Sequence, residues 1–287
     1  MLYESPQSID DAVSLLKQSR GSVHILAGGS DLLVRMKSGF VEPDVVVDIK
    51  RIKSLQTIKK APEGFVIGAA VSCAQLRDHK ALVKAWPGVV EAANLIGSDQ
   101  IQNRCTMVGN LCNASPAADS VPALVAANAM ARVRGVSGTR EVPVEKIVKG
   151  PGTISLKKAE MVEALVLPLR PTKSGDAYLR LTPRTEMDIA VVSAAVSLEL
   201  GKQGVVTDAE VALGAVAPTV VRVKQASKLL IGSKLDDDVL DRLAELCQQM
   251  CNPIDDKRGT VAYRTRVSGV LAKRAAINAY ERAGGKR

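Results

Sequence analysis

The residues that could do chemistry are concentrated in a run of small and polar side chains at positions 106–120. Gly109 would let a bulky group approach the backbone closely. The side chains in this run that could hydrogen-bond to it are those of Thr106, Asn110, Asn113 and Ser115. We predict a loop that binds an anionic or sugar-bearing ligand, although a loop that merely precedes a helix would have a similar composition. Asp119 or Ser120 is expected to cap the helix that begins near Val121.

A second glycine-containing stretch lies at positions 23–37 and has the order strand, glycine turn, helix. Gly28 and Gly29 form the turn, and Ser30 is the expected N-cap of the helix. Backbone amides in such a turn would face a phosphate, so the two stretches together predict a cradle for a pyrophosphate. The stretch matches neither the dinucleotide fingerprint G-x-G-x-x-G nor a Walker loop.

Composition limits the classes of function. The chain has 287 residues and 46% hydrophobic residues, which is enough for more than one core. Aromatic residues are only 2%, which argues against nucleic-acid binding by base stacking. The net charge is +9, and residues 257–287 hold nine Lys or Arg against one acidic residue. This segment is either a contact surface for an acidic partner or nucleic acid, or a solvated helix face with a basic tail; we favour the second interpretation.

The five cysteines form no Cys-x-x-Cys pair, so we expect a reducing, cytoplasmic location. Cys247 and Cys251 are four residues apart on one helix face and are expected to be core residues. With only His24 and His79 in addition, we expect no metal site in this chain. No apolar run approaches the roughly 18 to 20 residues of a membrane span, so we expect no integral membrane segment.

The order of predicted elements indicates three units that position these loops. Residues 1–55 read as a strand-helix-strand unit with a parallel pair, and residues 56–172 as a second unit that contains the ligand loop. Residues 171–176 are the predicted linker to a C-terminal domain, 173–287. Its strands are predicted at 178–182, 189–200 and 210–216, and its helices at 223–231, 237–251 and 261–280. A hairpin is predicted around 135–138.

Several motifs in a fixed order make the chain resemble a known family. They are Ala27–Asp31, Ile101–Asn110, Ala114–Asp119, Met187–Ala190, Leu213–Pro218 and Asp256–Arg266. Together they resemble the FAD-binding medium subunits of the molybdenum hydroxylases, which include xanthine dehydrogenase and carbon monoxide dehydrogenase. The resemblance implies an α+β fold. It consists of an FAD-binding PCMH-type (vanillyl-alcohol-oxidase-like) domain of two α/β subdomains and a C-terminal three-stranded sheet with helices.

The resemblance also implies which residues contact FAD. These are Ala27, Gly28, Gly29, Ser30, Asp31 and Leu32 in one loop, Thr106, Gly109, Asn110, Asn113 and Asp119 in the other, and Ile189 beside the flavin ring. Asp119 would bind the cofactor or brace the loop, unless it is a plain helix cap. From its pattern alone, Ile189 would be a core residue. Val108 stands where the family usually has glycine, and it requires a negative φ.

The implied function is electron transfer, with no catalytic side chain in this chain. Electrons would leave a molybdenum cofactor on a large subunit, pass two [2Fe-2S] clusters on a small subunit, and reach a noncovalent FAD here. The flavin would then reduce an external acceptor, in an assembly that is a dimer of heterotrimers. The substrate would be set by the large subunit. One alternative is a stand-alone flavin oxidase of the same fold, and another is a non-enzymatic basic binding protein.

Overall fold

The N-terminal residues form a small parallel sheet covered by helices. A computed structural model describes residues 1–286. The elements of this part are β1 (Leu2–Glu4), α1 (Ile9–Gln18), β2 (Val23–Leu26), α2 (Leu32–Lys37) and β3 (Val45–Asp48). The strands are parallel in the order β1-β3-β2, and the central strand β3 is buried throughout, as is typical of parallel strands. The predicted strand-helix-strand unit with a parallel pair is confirmed.

A five-stranded antiparallel sheet forms the second unit, in the order β4-β5-β10-β6-β7. Its strands are β4 (Ile58–Ala61), β5 (Gly64–Gly68), β6 (Met130–Gly135), β7 (Gly138–Pro143) and β10 (Met161–Pro168). The short strands β8 (Val148–Gly150) and β9 (Thr153–Ile154) pair beside it. The helices between β5 and β6 are α3 (Cys73–Asp78), α4 (Lys80–Ala85), α5 (Pro87–Asn94), α6 (Asp99–Gln102), α7 (Met107–Cys112) and α8 (Ser120–Ala126). The predicted hairpin is confirmed, with Gly135 opposite Gly138.

Two local predictions are wrong, one in each of the two glycine-containing stretches at positions 106–120 and 23–37. The run 106–120 is not wholly a loop, because α7 lies within it: Thr106 Oγ1 accepts a hydrogen bond from the Gly109 N–H at 2.9 Å and caps this helix. Ser30 is not the cap of α2, which begins two residues later with Asp31 at the N-cap position. The helix starts only after Gly29, because this residue has φ +81°, which lies outside the right-handed helical region.

The C-terminal part is an antiparallel sheet packed against helices. Its elements are β11 (Ser174–Leu181), β12 (Val192–Leu200), β13 (Val206–Gly214), β14 (Val221–Arg222), α9 (Lys224–Leu230), α10 (Asp237–Gln249) and α11 (Val261–Arg282). The sheet order is β11-β12-β13-β14. The three long strands and three helices agree with the prediction, and the two-residue β14 is an addition that no periodicity could indicate. The α+β class is confirmed.

The predicted linker 171–176 is a buried junction rather than a flexible connection. Strand β11 already begins at Ser174, and Asp176 is only 4% exposed. Asp176 Oδ2 accepts from the Val89 N–H of α5 at 2.9 Å, and Oδ1 accepts from Arg170 Nη1 at 2.7 Å. A Cβ on Gly88 of α5 would lie 2.7 Å from the backbone nitrogen of Ala177 in β11, so this helix and this strand are in direct contact. Residues 171–173 are exposed, whereas Asp176 at the end of the segment forms a buried ion pair with Arg170.

The basic C-terminal segment is largely one helix with a buried face. Helix α11 buries a row of small residues against the C-terminal sheet, and several of its cations have acidic partners. Arg264 is itself buried and bonds Asp256 at 2.6 Å, while Arg282 Nη1 bonds Glu91 at 2.9 Å. The other side of α11 is solvated, in agreement with the favoured interpretation. Among residues 1–286, no helix has both the length and the apolar character needed to cross a membrane.

Candidate cofactor-binding site

A cleft of about 620 Å³ lies between the parallel sheet and the second unit. It brings together residues of both glycine stretches, although these are some 80 positions apart in the chain. The predicted residues that line it are Ala27, Gly28, Gly29, Ser30, Asp31, Leu32, Thr106, Gly109, Asn110 and Asn113. Asn113 Nδ2 donates to Asp31 Oδ1 at 3.2 Å and thereby joins the two loops directly. The structure thus places ten predicted contacts around one cavity.

The first wall of the cleft consists of residues 27–32. Its shape depends on two glycines, and each is needed for a different reason. A Cβ on Gly28 would lie 2.2 Å from the carbonyl oxygen of Arg104 and 2.7 Å from the Cα of Cys105. Gly28 is therefore required by backbone contact between the two loops, rather than by space for a ligand. Gly29 has φ +81°, a conformation that glycine adopts without strain. Together they fold the loop tightly against residues 104–105.

Backbone donors are free along this wall. Among residues 1–286, none accepts a hydrogen bond from the backbone N–H of Gly28, Gly29, Ser30 or Asp31. Successive N–H groups in a turn form a concave surface that binds anions. Asp31 faces the same space, and its partial removal from water raises the pKa of its carboxyl above the usual value, opposed by a hydrogen bond from Ser30 and by the charge of Arg35. The wall therefore offers donors to an oxyanion and one carboxylate to a hydroxyl or amide.

The second wall is the N-terminal part of α7. A Cβ on Gly109 would lie 3.0 Å from Thr106 Oγ1 and, apart from the neighbouring residues and backbone of its own helix, within 4 Å of no other heavy atom in the described structure, so the cleft side of this residue is bare backbone. Val108 is helical and nearly buried, with the negative φ that its β-branch requires; that expectation is confirmed. Asn110 Oδ1 accepts from Ser120 N–H at 3.1 Å and from Ser120 Oγ at 2.7 Å. Its side-chain oxygen thus fixes the start of α8.

A third wall, formed by the segment 152–162, was not predicted. Lys157 and Lys158 place exposed ammonium groups at its rim. Glu160 holds the turn: its carboxylate accepts from Arg140 Nη2 and from Lys157 N–H, both at 2.8 Å. The hydrogen bond from Arg140 holds the pKa of Glu160 below its usual value. These residues carry no motif; only the adjacent lysine pair after Gly152 could have drawn attention to them.

The remaining lining is mixed in character. Apolar side chains form the floor: Leu16, Val23, Ile25, Ile49, Ile96, Ile154 and Val162. His24, Arg35, Cys105 and Cys112 also face the cleft and were not predicted as site residues. Cationic groups, free N–H donors and an apolar floor fit a ligand that combines phosphates with a flat ring system. Among the described residues, no three His, Cys, Asp or Glu side chains are grouped to hold a metal ion.

Asp119 lies outside the cleft lining, in a buried ion pair between the two domains. It occupies the N-cap position of α8, but its side chain makes no capping hydrogen bond. Instead, Oδ1 accepts from Tyr178 Oη at 2.8 Å and Oδ2 accepts from Arg180 Nη1 at 2.7 Å. Burial raises the pKa of Asp119 above its usual value, and the charge of Arg180 opposes this. Of the alternatives for this residue, the observed contacts favour bracing the loop.

Ile189 is also outside the cleft lining. Its side chain is 50% exposed, so the interpretation of this residue as core is wrong. The pattern was misleading because the strand begins three residues later, at Val192. Its backbone N–H donates to Asp188 Oδ1 at 2.8 Å. A position beside a flavin ring stays a prediction for this residue.

Comparisons with known proteins agree with this architecture. Residues 1–170 match the FAD binding domain in molybdopterin dehydrogenase, and residues 177–279 match the CO dehydrogenase flavoprotein C-terminal domain. The carbon monoxide dehydrogenase medium chain of Afipia carboxidovorans is 33% identical over 281 residues, covering 98% of this chain and 97% of that protein. A putative xanthine dehydrogenase FAD-binding subunit of Escherichia coli K12 is 28% identical, with 99% of this chain and 97% of that protein covered.

A solved structure shows the same fold. The reconstituted CO dehydrogenase from Oligotropha carboxidovorans contains a chain that superposes with a TM-score of 0.94 at 32% identity, covering 98% of this chain and 97% of that one. Both family matches fall in the order in which the two domains occur along this chain. The cleft lies within the first matched region and is built from both glycine loops. The chain therefore belongs to the family of FAD-binding medium subunits of the molybdenum hydroxylases, and it is an oxidoreductase subunit.

Proposed function

We propose that FAD binds in the cleft with its pyrophosphate between the two glycine loops. The contacts are made by Ala27, Gly28, Gly29, Ser30, Asp31, Leu32, Thr106, Gly109, Asn110 and Asn113. The observation that carries this proposal is the convergence of these residues on one cavity with unpaired backbone donors along its first wall. Lys157 and Lys158 at the rim add positive charge that offsets the two phosphate charges.

The residues of the chain bind and orient the cofactor rather than react. FAD supplies the electron-transfer chemistry, which no side chain of the cleft can supply. The free N–H groups of the first loop hold the phosphates, and Asp31 accepts a hydrogen bond from a cofactor hydroxyl or amide. The apolar floor at Ile25 and Ile49 excludes water from the ring system. Asp119 acts as a positioning residue that ties the loop before α8 to Tyr178 and Arg180 of the C-terminal domain, and Ile189 covers the flavin ring from the same domain.

In the assembly, this subunit passes electrons through FAD from an iron-sulfur subunit to an external acceptor. The electrons originate at the molybdenum cofactor of a large subunit and travel through two [2Fe-2S] clusters of a small subunit. The complex is a dimer of heterotrimers in the cytoplasm. The support is family membership together with relatives that are medium chains and FAD-binding subunits. Binding of FAD is noncovalent, although His24 and Cys105 face the cleft.

The cofactor assignment is tested by substituting one glycine inside the cleft and one outside it. Gly109→Val puts a side chain against the bare wall of α7, and we expect FAD retention to be lost. Gly150→Val is the matched control, because a Cβ there meets nothing within 4 Å and the residue does not line the cleft. Acid precipitation of the wild type and of Gly150→Val should release all yellow colour as FAD.

Two results would contradict the proposal. Retention of FAD by Gly109→Val would place the cofactor elsewhere, and FMN in the supernatant would exclude a pyrophosphate between the loops. The assembly is tested separately by affinity purification of the chain from its native cells. A molybdenum protein and an iron-sulfur protein should copurify in equal amounts with it. An isolated chain that oxidises an organic substrate at full rate would contradict the proposed assembly.

A further inference from the structure

Two cysteines lie directly opposite each other behind the first wall of the cleft. Ser72 and Thr106 form an isolated antiparallel bridge, so the next pair of positions places Cys73 opposite Cys105. The Cys73 N–H donates to the Cys105 carbonyl at 2.9 Å, which fixes the two backbones side by side. Both cysteines are free thiols. This juxtaposition joins residues that are 32 positions apart and that no sequence motif connects.

The backbone spacing suits a covalent bond between them. Opposite residues of an antiparallel pair have Cα atoms about 4.5 to 5.5 Å apart, and disulfides form between Cα atoms about 4.4 to 6.8 Å apart. The spacing is well fixed, because Ser72 caps α3 in a capping box with Gln75 and Thr106 caps α7. The Cα spacing of this pair therefore meets the requirement for a disulfide.

The two thiols differ in accessibility and in acidity. Both side chains are buried, Cys105 at 3% exposure and Cys73 at 0%, but of the two only Cys105 lines the cleft. A hydrogen bond from the Cys73 thiol lowers the pKa of Cys105 below its usual value, and the same contact, with burial, raises the pKa of Cys73. Cys112 also faces the cleft, but burial raises its pKa to about 12. The thiolate is the reactive form, so Cys105 is the more reactive thiol of the cleft.

We propose that Cys73 and Cys105 are a peroxide-sensitive dithiol that closes to a disulfide at the wall of the cofactor cleft. The Cys105 thiolate attacks hydrogen peroxide, the O–O bond breaks, and hydroxide leaves as the sulfur becomes a sulfenic acid; the hydroxide takes up the proton that the thiol had released and becomes water. Cys73 then attacks that sulfur, the S–O bond breaks, and a second water leaves. Two thiols and one peroxide thus give one disulfide and two waters. The proposed function supplies a local source of this oxidant, since reduced flavin that reacts with oxygen releases peroxide.

The test uses the full-length chain without added FAD, exposed to a small excess of hydrogen peroxide. After alkylation and proteolysis without reductant, mass spectrometry should find a peptide pair joined through Cys73 and Cys105, and two of the five thiols should be lost. In Cys73→Ser, the sulfenic acid of Cys105 cannot be resolved and should be trapped by dimedone. Cys247→Ser is the matched control, because Cys247 is equally buried in the other domain and should leave the linkage unchanged.

Either of two results would overturn the proposal: survival of both thiols while other cysteines are oxidised, or oxidation of Cys105 in the wild type to a sulfinic acid without the linked peptide. The wild-type peptide map needs no substitution, so a variant that fails to fold does not affect the conclusion. The measurement also does not depend on bound flavin. Loss of FAD binding in the earlier test would therefore leave this result standing, and absence of the disulfide would leave the cofactor assignment standing.

Discussion

Replacing Asp119 by Asn separates a role in bracing the domains from a role in binding FAD. The substitution keeps the shape of the side chain but removes the negative charge that faces Arg180. The Arg180 side chain is 5% exposed and that of Asp119 10%, so the guanidinium would be left buried without its counter-charge. Tyr178 could still donate to the amide oxygen. We therefore expect Asp119→Asn to be destabilised while its cofactor contacts remain intact.

The magnitude follows from the contacts. Breaking one side of a buried ion pair costs about 3 to 5 kcal/mol. The retained hydrogen bond from Tyr178 returns about 1 kcal/mol of this, so the free energy of unfolding should fall by roughly 2 to 4 kcal/mol. Adding Arg180→Met removes the stranded charge, and the double variant should lose less than the sum of the two single losses. Asp99→Asn breaks an exposed pair with Arg77 and should cost less than about 1 kcal/mol.

The assay is urea unfolding followed by tryptophan fluorescence. Trp86 is the only tryptophan of the chain and is 3% exposed, close to the domain junction, so its emission reports loss of packing there. FAD content of each variant is measured at low temperature, where all are folded, by acid release. If Asp119→Asn retains as much FAD as the wild type but unfolds at lower urea concentration, the role of Asp119 is to brace the two domains. Loss of FAD with unchanged stability would refute the reasoning and would make Asp119 a cofactor contact.

Val108→Gly should lose roughly 2 to 4 kcal/mol of stability, because it removes buried methyl groups and adds glycine to a helix, while FAD content stays unchanged. Ile189→Ala should lose less than about 1 kcal/mol, since the side chain is half exposed, and should raise the rate at which oxygen reoxidises dithionite-reduced flavin in stopped flow; an unchanged rate would mean that Ile189 does not cover the ring. Glu160 has a lowered pKa when folded, so it adds stability above the unfolded carboxyl pKa that is lost as the pH falls through the folded value. Glu160→Gln should show a shallower loss of stability with acid in urea titrations from neutral pH downwards, and identical slopes would contradict this.

Local signals in the sequence predicted most elements correctly. Ser8 is followed three residues later by Asp11, a spacing typical of the start of a helix, and in the structure Ser8 Oγ caps α1 by accepting from the Asp11 N–H at 3.1 Å. The apolar periods of the C-terminal helices fixed α10 and α11 within a few residues. Helix α7 was missed because glycine and asparagine in its middle lower helix propensity; the burial of Met107 and Leu111 overrides this.

The part of the site that sequence could not predict depends on contacts across the fold. In the third wall, Glu160 pairs with Arg140 of strand β7, 20 positions earlier, a contact with no local signature. Asp119 meets Tyr178 and Arg180 some 60 positions later, so its position in a loop suggested a cap or a ligand contact. The requirement for Gly28 is likewise set by the backbone of Arg104, which only the structure shows.

The buried junction at Asp176 has a consequence for synthesis of the chain on the ribosome. The Asp176 carbonyl accepts from Arg282 Nη1 at 2.8 Å, and a Cβ on Gly175 would lie 2.0 Å from the carbonyl oxygen of Ala279. The contacts of Asp176 with Val89 and Arg170 can form as soon as β11 has left the exit tunnel, but those of Arg282 with the Asp176 carbonyl and with Glu91 of α5 must wait for the last turn of α11. A chain whose translation stops before Arg282 would therefore have an incomplete junction.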